Sequence, residues 1–317
     1  MKTLLMFPGQ GSQFIGMGKD IFDSYKYANK AFLQVNEALE ENFTNKIFNG
    51  TEEELKQSYN TQPALMAVSV AVYLALKEEH GNKMNDLNIC GVAGHSLGEY
   101  SALCVAGGLS VMDTAKILRK RGEAMSKCVS NDTGMLAVIG SDRQIIQDNI
   151  DVIQPKCLVI ANSNSVGQIV VSGYLEDIEK FTKQMEGKAK RLIPLAVSGA
   201  FHSPLMKEAQ DEMFEEIAKL EIKQPSVPIL QNYSGKFETG TKTIKYNLQN
   251  QIIAPVLWCE NMQKAIADGF DTFIEIGAKN VLSGLMKRII TKEQEKLIKI
   301  INVEKVEDVK SLFDKVK

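Results

Sequence analysis

Ile89-Cys90-Gly91-Val92-Ala93 runs straight into Gly94-His95-Ser96-Leu97-Gly98, an apolar stretch meeting a serine that is flanked two ways by glycine. The order predicts a strand over Asn88–Ala93 that turns sharply and launches a helix, the pattern of a nucleophile elbow. Glycines at both flanks remove the Cβ atoms that would collide where strand and helix cross, and Ser96 is left in a strained turn with its hydroxyl at a helix N-terminus. Gly-x-Ser-x-Gly also arises by chance, so the pentapeptide alone admits either a nucleophile or an ordinary turn. Its setting, strand before and helix after, points to chemistry.

Outward from this turn the same rhythm repeats. Thr3–Phe7 reads as a buried strand, Pro8-Gly9-Gln10-Gly11-Ser12-Gln13 as a glycine-rich loop, and long amphipathic segments follow to about residue 57. Asn60-Thr61-Gln62-Pro63 is read as the start of a helix whose apolar body is Ala64–Leu76 and whose end is Lys77-Glu78-Glu79. That body is shorter than the roughly 18 residues a spanning helix needs, which makes it a core helix. Strands alternating with helices imply a parallel sheet covered on both faces, with chemistry at the strands' C-terminal ends.

Between residues 128 and 197 the units shorten. Strand Met135–Ile139, a helix opened by a Ser141-x-x-Gln144 capping box, strands Cys157–Asn162 and Gln168–Ser172, helix Leu175–Glu186 and strand Leu192–Ala196 follow one another. This βαββαβ order is that of the ferredoxin-like split unit. The expected architecture is therefore α/β: an α/β-hydrolase-like catalytic domain with a parallel sheet, residues 1–127 and 198–317, interrupted by a small ferredoxin-like domain, residues 128–197. Strands Val227–Leu230, Thr272–Ile276 and Leu297–Val303, a helix through Arg288 and a terminal helix complete the larger unit, and the cleft between the two is the natural substrate site.

Composition narrows the function. A 317-residue chain with 44% hydrophobic content can bury a large core, and a net charge of −2 gives no chain-wide basic field for nucleic acid. Five dispersed cysteines without a Cys-x-x-Cys pair argue against disulfides and zinc, so no metal site is expected and a reducing cytoplasm fits. The apolar run Leu4–Phe7 is ended by Pro8 and Gly9 before an export signal could form, and no membrane segment is expected.

A serine hydroxyl needs a general base, and the chain has three histidines. His80 follows Glu78 and Glu79 and reads as a favourable helix C-terminal cation. His95 precedes the serine and should pack beneath the site. His202, in Ser198-Gly199-Ala200-Phe201-His202-Ser203-Pro204, lies where the small domain returns to the large one, and by elimination it is the candidate base. Acids such as Asp151 and Glu176 carry no motif, which leaves a backbone carbonyl as a possible partner for the imidazole. The oxyanion of an acyl transfer needs two N–H donors. Leu97 fits one role, and the Pro8–Gln13 loop can supply the other. That loop lacks the Gly-Lys-Ser/Thr of a P-loop, and Phe14 interrupts a dinucleotide fingerprint. Arg121, one of five arginines, could clamp a carboxylate bidentately or merely pair with Glu123 at the surface. Lys188-Ala189-Lys190-Arg191 reads as a solvated edge.

Seven ordered motifs carry a resemblance. Phe7-Pro8-Gly9-Gln10-Gly11-Ser12-Gln13, Thr61-Gln62-Pro63-Ala64, Gly94-His95-Ser96-Leu97-Gly98-Glu99-Tyr100, Arg121-Gly122, Asn164-Ser165-x-Gly167-Gln168, Phe201-His202-Ser203 and Val281-Leu282-x-Gly284-Leu285 together resemble the malonyl-CoA:acyl carrier protein transacylases of type II fatty acid synthesis, nearly end to end. Val166, where a proline is common, and Gly277-Ala278-Lys279-Asn280, in place of a more usual Gly-Pro-Gly-Lys, depart from the pattern in turns. The resemblance implies Ser96 as nucleophile, His202 as base, the main-chain carbonyl of Gln251 as its orienter, the amides of Gln10 and Leu97 as oxyanion hole, and Arg121 as clamp for the malonyl carboxylate. It further implies substrate contacts at Gln62, Met125, Asn164 and Phe201, the ring of Phe201 limiting space at the substrate's α-carbon. The implied reaction moves malonyl from malonyl-CoA to a carrier's phosphopantetheine thiol in a ping-pong cycle; the alternatives are a discrete polyketide-type acyltransferase and a serine thioesterase or esterase using the same serine. No bound cofactor is expected, coenzyme A arriving as part of the substrate and phosphopantetheine on the partner. The partners are malonyl-CoA and an acidic acyl carrier protein, met by a monomer, with Lys188, Lys190, Arg191 and Lys287 as candidate docking charges.

Overall fold

Every residue of β1 (Thr3–Phe7) is buried, and β1 lies at the middle of a six-stranded sheet. The computed structural model describes residues 1–197 and 199–316. Beside β1 run β2 (Ile89–Gly94) and, on the other flank, the late strand Thr272–Ile276, both parallel to it. Side chains alternate across β1: Leu5 and Phe7 enter one apolar cluster, Leu4 and Met6 another. A period of two with apolar residues on both faces is what a parallel sheet sandwiched between helices requires.

A second sheet is wholly antiparallel and is built from β3 (Thr133–Ile139), β4 (Leu158–Ser165), β5 (Gln168–Tyr174) and β6 (Arg191–Pro194) in the order β4-β5-β3-β6. Helices Arg143–Ile153 and Leu175–Gln184 cover it and close a separate core containing Leu136, Val138, Ile146, Ile150, Val171 and Phe181. The chain then returns to the first sheet through β7 (Ile229–Leu230), β8 (Phe237–Glu238), β9 (Thr272–Ile276) and β10 (Lys299–Val303), giving the order β10-β9-β1-β2-β7-β8. All neighbours are parallel except the β7–β8 pair. The molecule is thus mixed α/β, with a parallel sheet and a separate antiparallel one.

The main chain ties β4 of the antiparallel sheet to the segment that precedes helix Trp258–Ala267. Val256 donates to the Ala161 carbonyl at 2.9 Å and accepts from Ser163 N at 3.0 Å, a parallel bridge centred on Asn162. The loop that carries His202 comes back from β6 close by. The expected return point, Ser198, lies outside the described residues.

Three local expectations are corrected. The helix expected to open at Asn60 spans Ser58–His80, with Pro63 inside it. Asn60 and Thr61 do not cap it: their side chains donate back to the Glu54 and Leu55 carbonyls of the preceding helix, at 2.8 and 2.5 Å. The Ser141–Gln144 capping box does not form either. The helix starts one residue later, at Arg143, with no side-chain cap, and Gln144 bonds Asp148 one turn on. Strand β8, too short to show a period, was not anticipated. His80 does more than complement a helix end: Nε2 lies 2.7 Å from the Val309 carbonyl and the ring packs edge-on against Phe313, tying down the terminal helix Val306–Val316. All five cysteines are free thiols. Among the described residues no helix is long and apolar enough to cross a membrane.

Candidate active site

At the end of β2 the chain folds back into the helix Gly98–Val105, and Ser96 occupies the turn with φ +53°, a left-handed conformation that costs a non-glycine residue energy. The crossing leaves no room for side chains on either flank. A Cβ on Gly94 would overlap the Gly98 carbonyl, and one on Gly98 would overlap the Phe7 carbonyl of β1. The elbow is therefore a consequence of two glycines, with Ser96 held where its hydroxyl faces the C-terminal edge of the sheet.

Ser96 Oγ is 2.9 Å from His202 Nε2. The other ring nitrogen, Nδ1, is 3.1 Å from the Gln251 carbonyl and 3.2 Å from that of Ala254. Carbonyls only accept, so Nδ1 carries the proton and the lone pair of Nε2 is directed at the serine, the tautomer a general base needs. Burial, and next the cation of Arg121, press the imidazole down from its ordinary 6.5 to about 3, which keeps it neutral. His202 also sits at positive φ, +56°, in its own tight loop.

Arg121 is 1% exposed, so the surface pairing with Glu123 does not occur. Its Nη1 donates to Gln62 Oε1 at 2.8 Å, and its Nη2 donates to Gln251 Oε1 at 2.9 Å and to Ser96 Oγ at 3.1 Å. Among the described residues it makes no ion pair, and its Nε has no partner. A buried guanidinium held by neutral oxygens and the face of the Tyr100 ring, with no ion pair, has lost its hydration for little compensating charge, which costs several kcal/mol. Close helix packing puts it there. At Gly122 a Cβ would overlap the backbone of Tyr59, so helix Val111–Lys127 lies against the start of helix Ser58–His80 and sets Arg121 beside Gln62.

These groups open into a cavity of about 650 Å³ lined by Gln10, His95, Ser96, Leu97, Arg121, Met125, Asn164, Phe201 and His202, with an apolar wall from Val129, Met135, Val170 and Leu195 to Val197. The cavity lies between the two sheets, where the cleft was expected. Gln62 and Gln251 stand behind it, gripping Arg121; Gln62 Nε2 also contacts the Met125 sulfur at 3.5 Å. His95 is on the wall rather than beneath it, its Nε2 2.9 Å from Asn164 Oδ1 and its ring tilted over Trp258. Of the docking charges, Lys188, Lys190, Arg191 and Lys287 all lie off this cavity, and the lysine on its rim is Lys56. Lys188 Nζ bonds Asn149 Oδ1.

Sequence reasoning missed several contributors. Ala254 supplies a second carbonyl to His202, Asn162 joins Asn164 on the wall, and Ser58 Oγ lies 3.4 Å from both amide atoms of Gln10. Two more lie deeper. Glu99, wholly buried, has its carboxyl pushed up to about 7 by burial, against the opposing pull of bonds from Asn232 and Gln231 and the Arg121 charge. Asn232 holds the Ser96 backbone. A carboxylate in the otherwise uncharged, largely buried helix Gly98–Val105, and a polar run Gln231-Asn232 directly after a strand, were the available signals.

A serine and a neutral histidine at a strand-to-helix turn, facing a buried guanidinium, define an acyl-transfer enzyme. The comparisons agree. The family model described as acyl transferase domain matches residues 4–310. The malonyl CoA-acyl carrier protein transacylase of Bacillus subtilis (strain 168) is 42% identical over 292 residues, 91% of this chain and 90% of that one; the Staphylococcus aureus (strain MSSA476) protein of the same name is 38% identical over 98% of this chain and 97% of its own. Among solved structures, the acyl-carrier-protein-S-malonyltransferase of Bartonella henselae superposes with a TM-score of 0.93 at 38% identity, covering 99% of each chain. A malonyl-transacylase in complex with its type II polyketide acyl-carrier protein gives 0.91 at 31% identity, again over 99% of each. The chain belongs to the malonyl CoA-acyl carrier protein transacylase family.

Proposed function

We propose that this chain transfers malonyl from malonyl-CoA to the phosphopantetheine thiol of an acyl carrier protein, supplying fatty acid synthesis through a malonyl ester on Ser96. The single observation that carries this reading is the convergence of His202 Nε2 and Arg121 Nη2 on one hydroxyl, at 2.9 and 3.1 Å. His202 takes the Ser96 proton as Oγ attacks the thioester carbonyl; the C–O bond forms, the C–S bond breaks, and coenzyme A leaves as a thiol with the proton from His202. The oxyanion rests on the amides of Gln10 and Leu97, both residues of the cavity wall. In the second half-reaction the same imidazole deprotonates the carrier thiol, which attacks the ester and frees Ser96.

Arg121 binds the malonyl carboxylate, which supplies the counter-charge its burial withholds. Gln62 and Gln251 hold its guanidinium in plane, Gln251 also orienting His202 through its main-chain carbonyl. Met125, Asn164 and Phe201 border the malonyl unit. No cofactor takes part beyond the thioester substrate and the carrier's arm. The enzyme acts as a cytoplasmic monomer, its catalytic α/β-hydrolase-like domain comprising residues 1–127 and 198–317 and its inserted ferredoxin-like domain residues 128–197. The βαββαβ order and the β4-β5-β3-β6 arrangement support the latter description.

Intact-mass measurement after addition of malonyl-CoA tests the proposal. A malonyl adduct on Ser96, absent from Ser96→Ala and stable until a carrier thiol is added, is the expected result. Spontaneous loss to water would make the protein a thioesterase, and binding without any adduct would make it a carrier-binding module.

A further inference from the structure

The strained turn at Ser96 needs something to hold it, and β7 cannot: it is two residues long and its chain turns away at Gln231, whose N–H already serves the Lys236 carbonyl in the β7–β8 turn. On the opposite side β1 still reaches the elbow, since His95 N donates to the Phe7 carbonyl at 3.0 Å. On the β7 side the ladder's last regular pairs are Val92 with Ile229 and Ala93 with Leu230. Beyond them the Gly94 carbonyl and the Ser96 amide would be left without strand partners at the point where the backbone is least at ease.

The side chain of Asn232 fills both places. Its Nδ2 donates to the Gly94 carbonyl at 2.7 Å and its Oδ1 accepts from Ser96 N at 2.7 Å. In a parallel ladder one residue of the neighbouring strand bonds the C=O before and the N–H after the residue it faces. A carboxamide has the same donor and acceptor as a peptide unit, so Asn232 continues β7 by one rung with its side chain. Asn232 is itself fixed. Its backbone N donates to Glu99 Oε2 at 2.7 Å, while Glu99 Oε1 accepts from Gln231 Nε2 at 3.0 Å, and both residues are completely buried or nearly so. Glu99 stands on the first turn of the helix that Ser96 launches. The clasp therefore closes on the elbow from both ends: strand, side-chain rung, carboxyl, helix.

We infer that Asn232, braced by Glu99, is a positioning residue that holds Ser96 in its left-handed conformation and so sets the distance from Oγ to His202. Asn232 does not line the cavity and touches no substrate. Its influence passes through the Gly94 carbonyl and the Ser96 amide. The Ser96 carbonyl, in the following peptide, is held separately, by Gln251 Nε2 at 3.2 Å and Glu99 N at 3.1 Å, so loss of Asn232 frees the Ser96 amide without dissolving the turn.

The inference rests on Ser96 being the nucleophile, and its test separates the two. Asn232→Ala and Asn232→Asp are compared with the unmutated full chain in single-turnover formation of the malonyl adduct, alongside circular dichroism and thermal unfolding. Asn232→Ala is expected to form the adduct about 10²-fold more slowly, the cost of a small misplacement of reacting atoms, with KM for malonyl-CoA nearly unchanged. Asn232→Asp keeps the acceptor for Ser96 N and loses the donor to Gly94, and is expected to be slowed by about tenfold, the rate equivalent of one hydrogen bond. Should the alanine variant fail to fold, the aspartate variant alone decides, by a kcat fall at unchanged KM. A folded variant whose acylation rate stays within twofold, or whose loss lies in KM, overturns the inference. Absence of any adduct on the unmutated chain overturns the nucleophile assignment instead.

Discussion

Arg121 shares the Ser96 hydroxyl with His202, and its charge helps to keep the imidazole neutral. Arg121→Ala removes the group that a substrate carboxylate would neutralise. It is expected to slow malonyl transfer and to bring malonyl-CoA and acetyl-CoA close to parity, whereas the unmutated enzyme is expected to discriminate by up to about 10⁴-fold, the scale set when a buried polar group is left unpaired. Adduct yield with each thioester measures it, and equal use of both by the unmutated chain would remove Arg121 from its role. The second residue-scale prediction concerns pH. His202 is held neutral to about 3 by burial first and the Arg121 charge second, so its protonation does not limit acylation at mildly acidic pH. The rate of adduct formation is expected to stay level through 6.5, the ordinary imidazole value, and to fall only well below it. The same shift acts on stability: between 6.5 and about 3 the unfolded chain binds a proton that the folded one refuses, so this contribution is complete above 6.5 and is lost as pH drops toward 3. In Arg121→Ala the acid limb should move upward, since the largest depressing influence after burial is gone. An acid limb centred near 6.5 in the unmutated enzyme would contradict the assignment.

Helix placement follows from close approaches that only glycine permits. Gly122 sits where a Cβ would meet the Tyr59 backbone, and backbone cannot rotate away as a side-chain tip can. Gly122→Ala is expected to destabilise the fold by about 1–3 kcal/mol in urea unfolding, as overpacking does, and to raise KM for malonyl-CoA because Arg121 shifts with its helix. An unchanged KM would uncouple that contact from the site. Elements with a strong period were legible in advance: β1 and β9 fall on their expected residues, and the strand-helix alternation of residues 133–194 appears in the expected order. Boundaries were less so, for identifiable reasons. Asn60, Thr61 and Pro63 look like a helix start, but tertiary acceptors on the preceding helix claimed the two side chains and the helix ran on through the proline. Ser141 lost its capping role to a one-residue shift in where the helix begins, which local sequence does not encode. Two-residue strands such as β7 and β8 are defined by their neighbours alone.

Across the whole molecule the site draws on segments 155 residues apart, the separation between Ser96 and Gln251, and this explains which parts of it were readable. Residues carrying a chemical role stand in recognisable local motifs; Ala254, which acts through its main-chain carbonyl, leaves no such trace, and Asn232 leaves only a polar pair after a short strand. Electrostatic reach across the surface is equally invisible in a motif, and the position of Lys190 and Arg191 sharpens it. Both lie at the start of β6, and the cavity wall begins at Leu195, four residues beyond Arg191 and about 13 Å away at the rise of an extended strand. An acidic carrier held at that edge would stand beside the wall without entering it, leaving its thiol-bearing arm to run along β6 to Ser96. Lys188 is already bonded to Asn149, whereas Lys190 and Arg191 stand together, both exposed, at the strand that leads to the wall. Lys190→Glu with Arg191→Glu is therefore expected to raise KM for the carrier several-fold at low salt, to lose most of that effect at about 1 M salt where screening reaches about 3 Å, and to leave acylation by malonyl-CoA untouched. A carrier KM unmoved at low salt would place docking elsewhere, with the Lys56 rim as the next face to reverse.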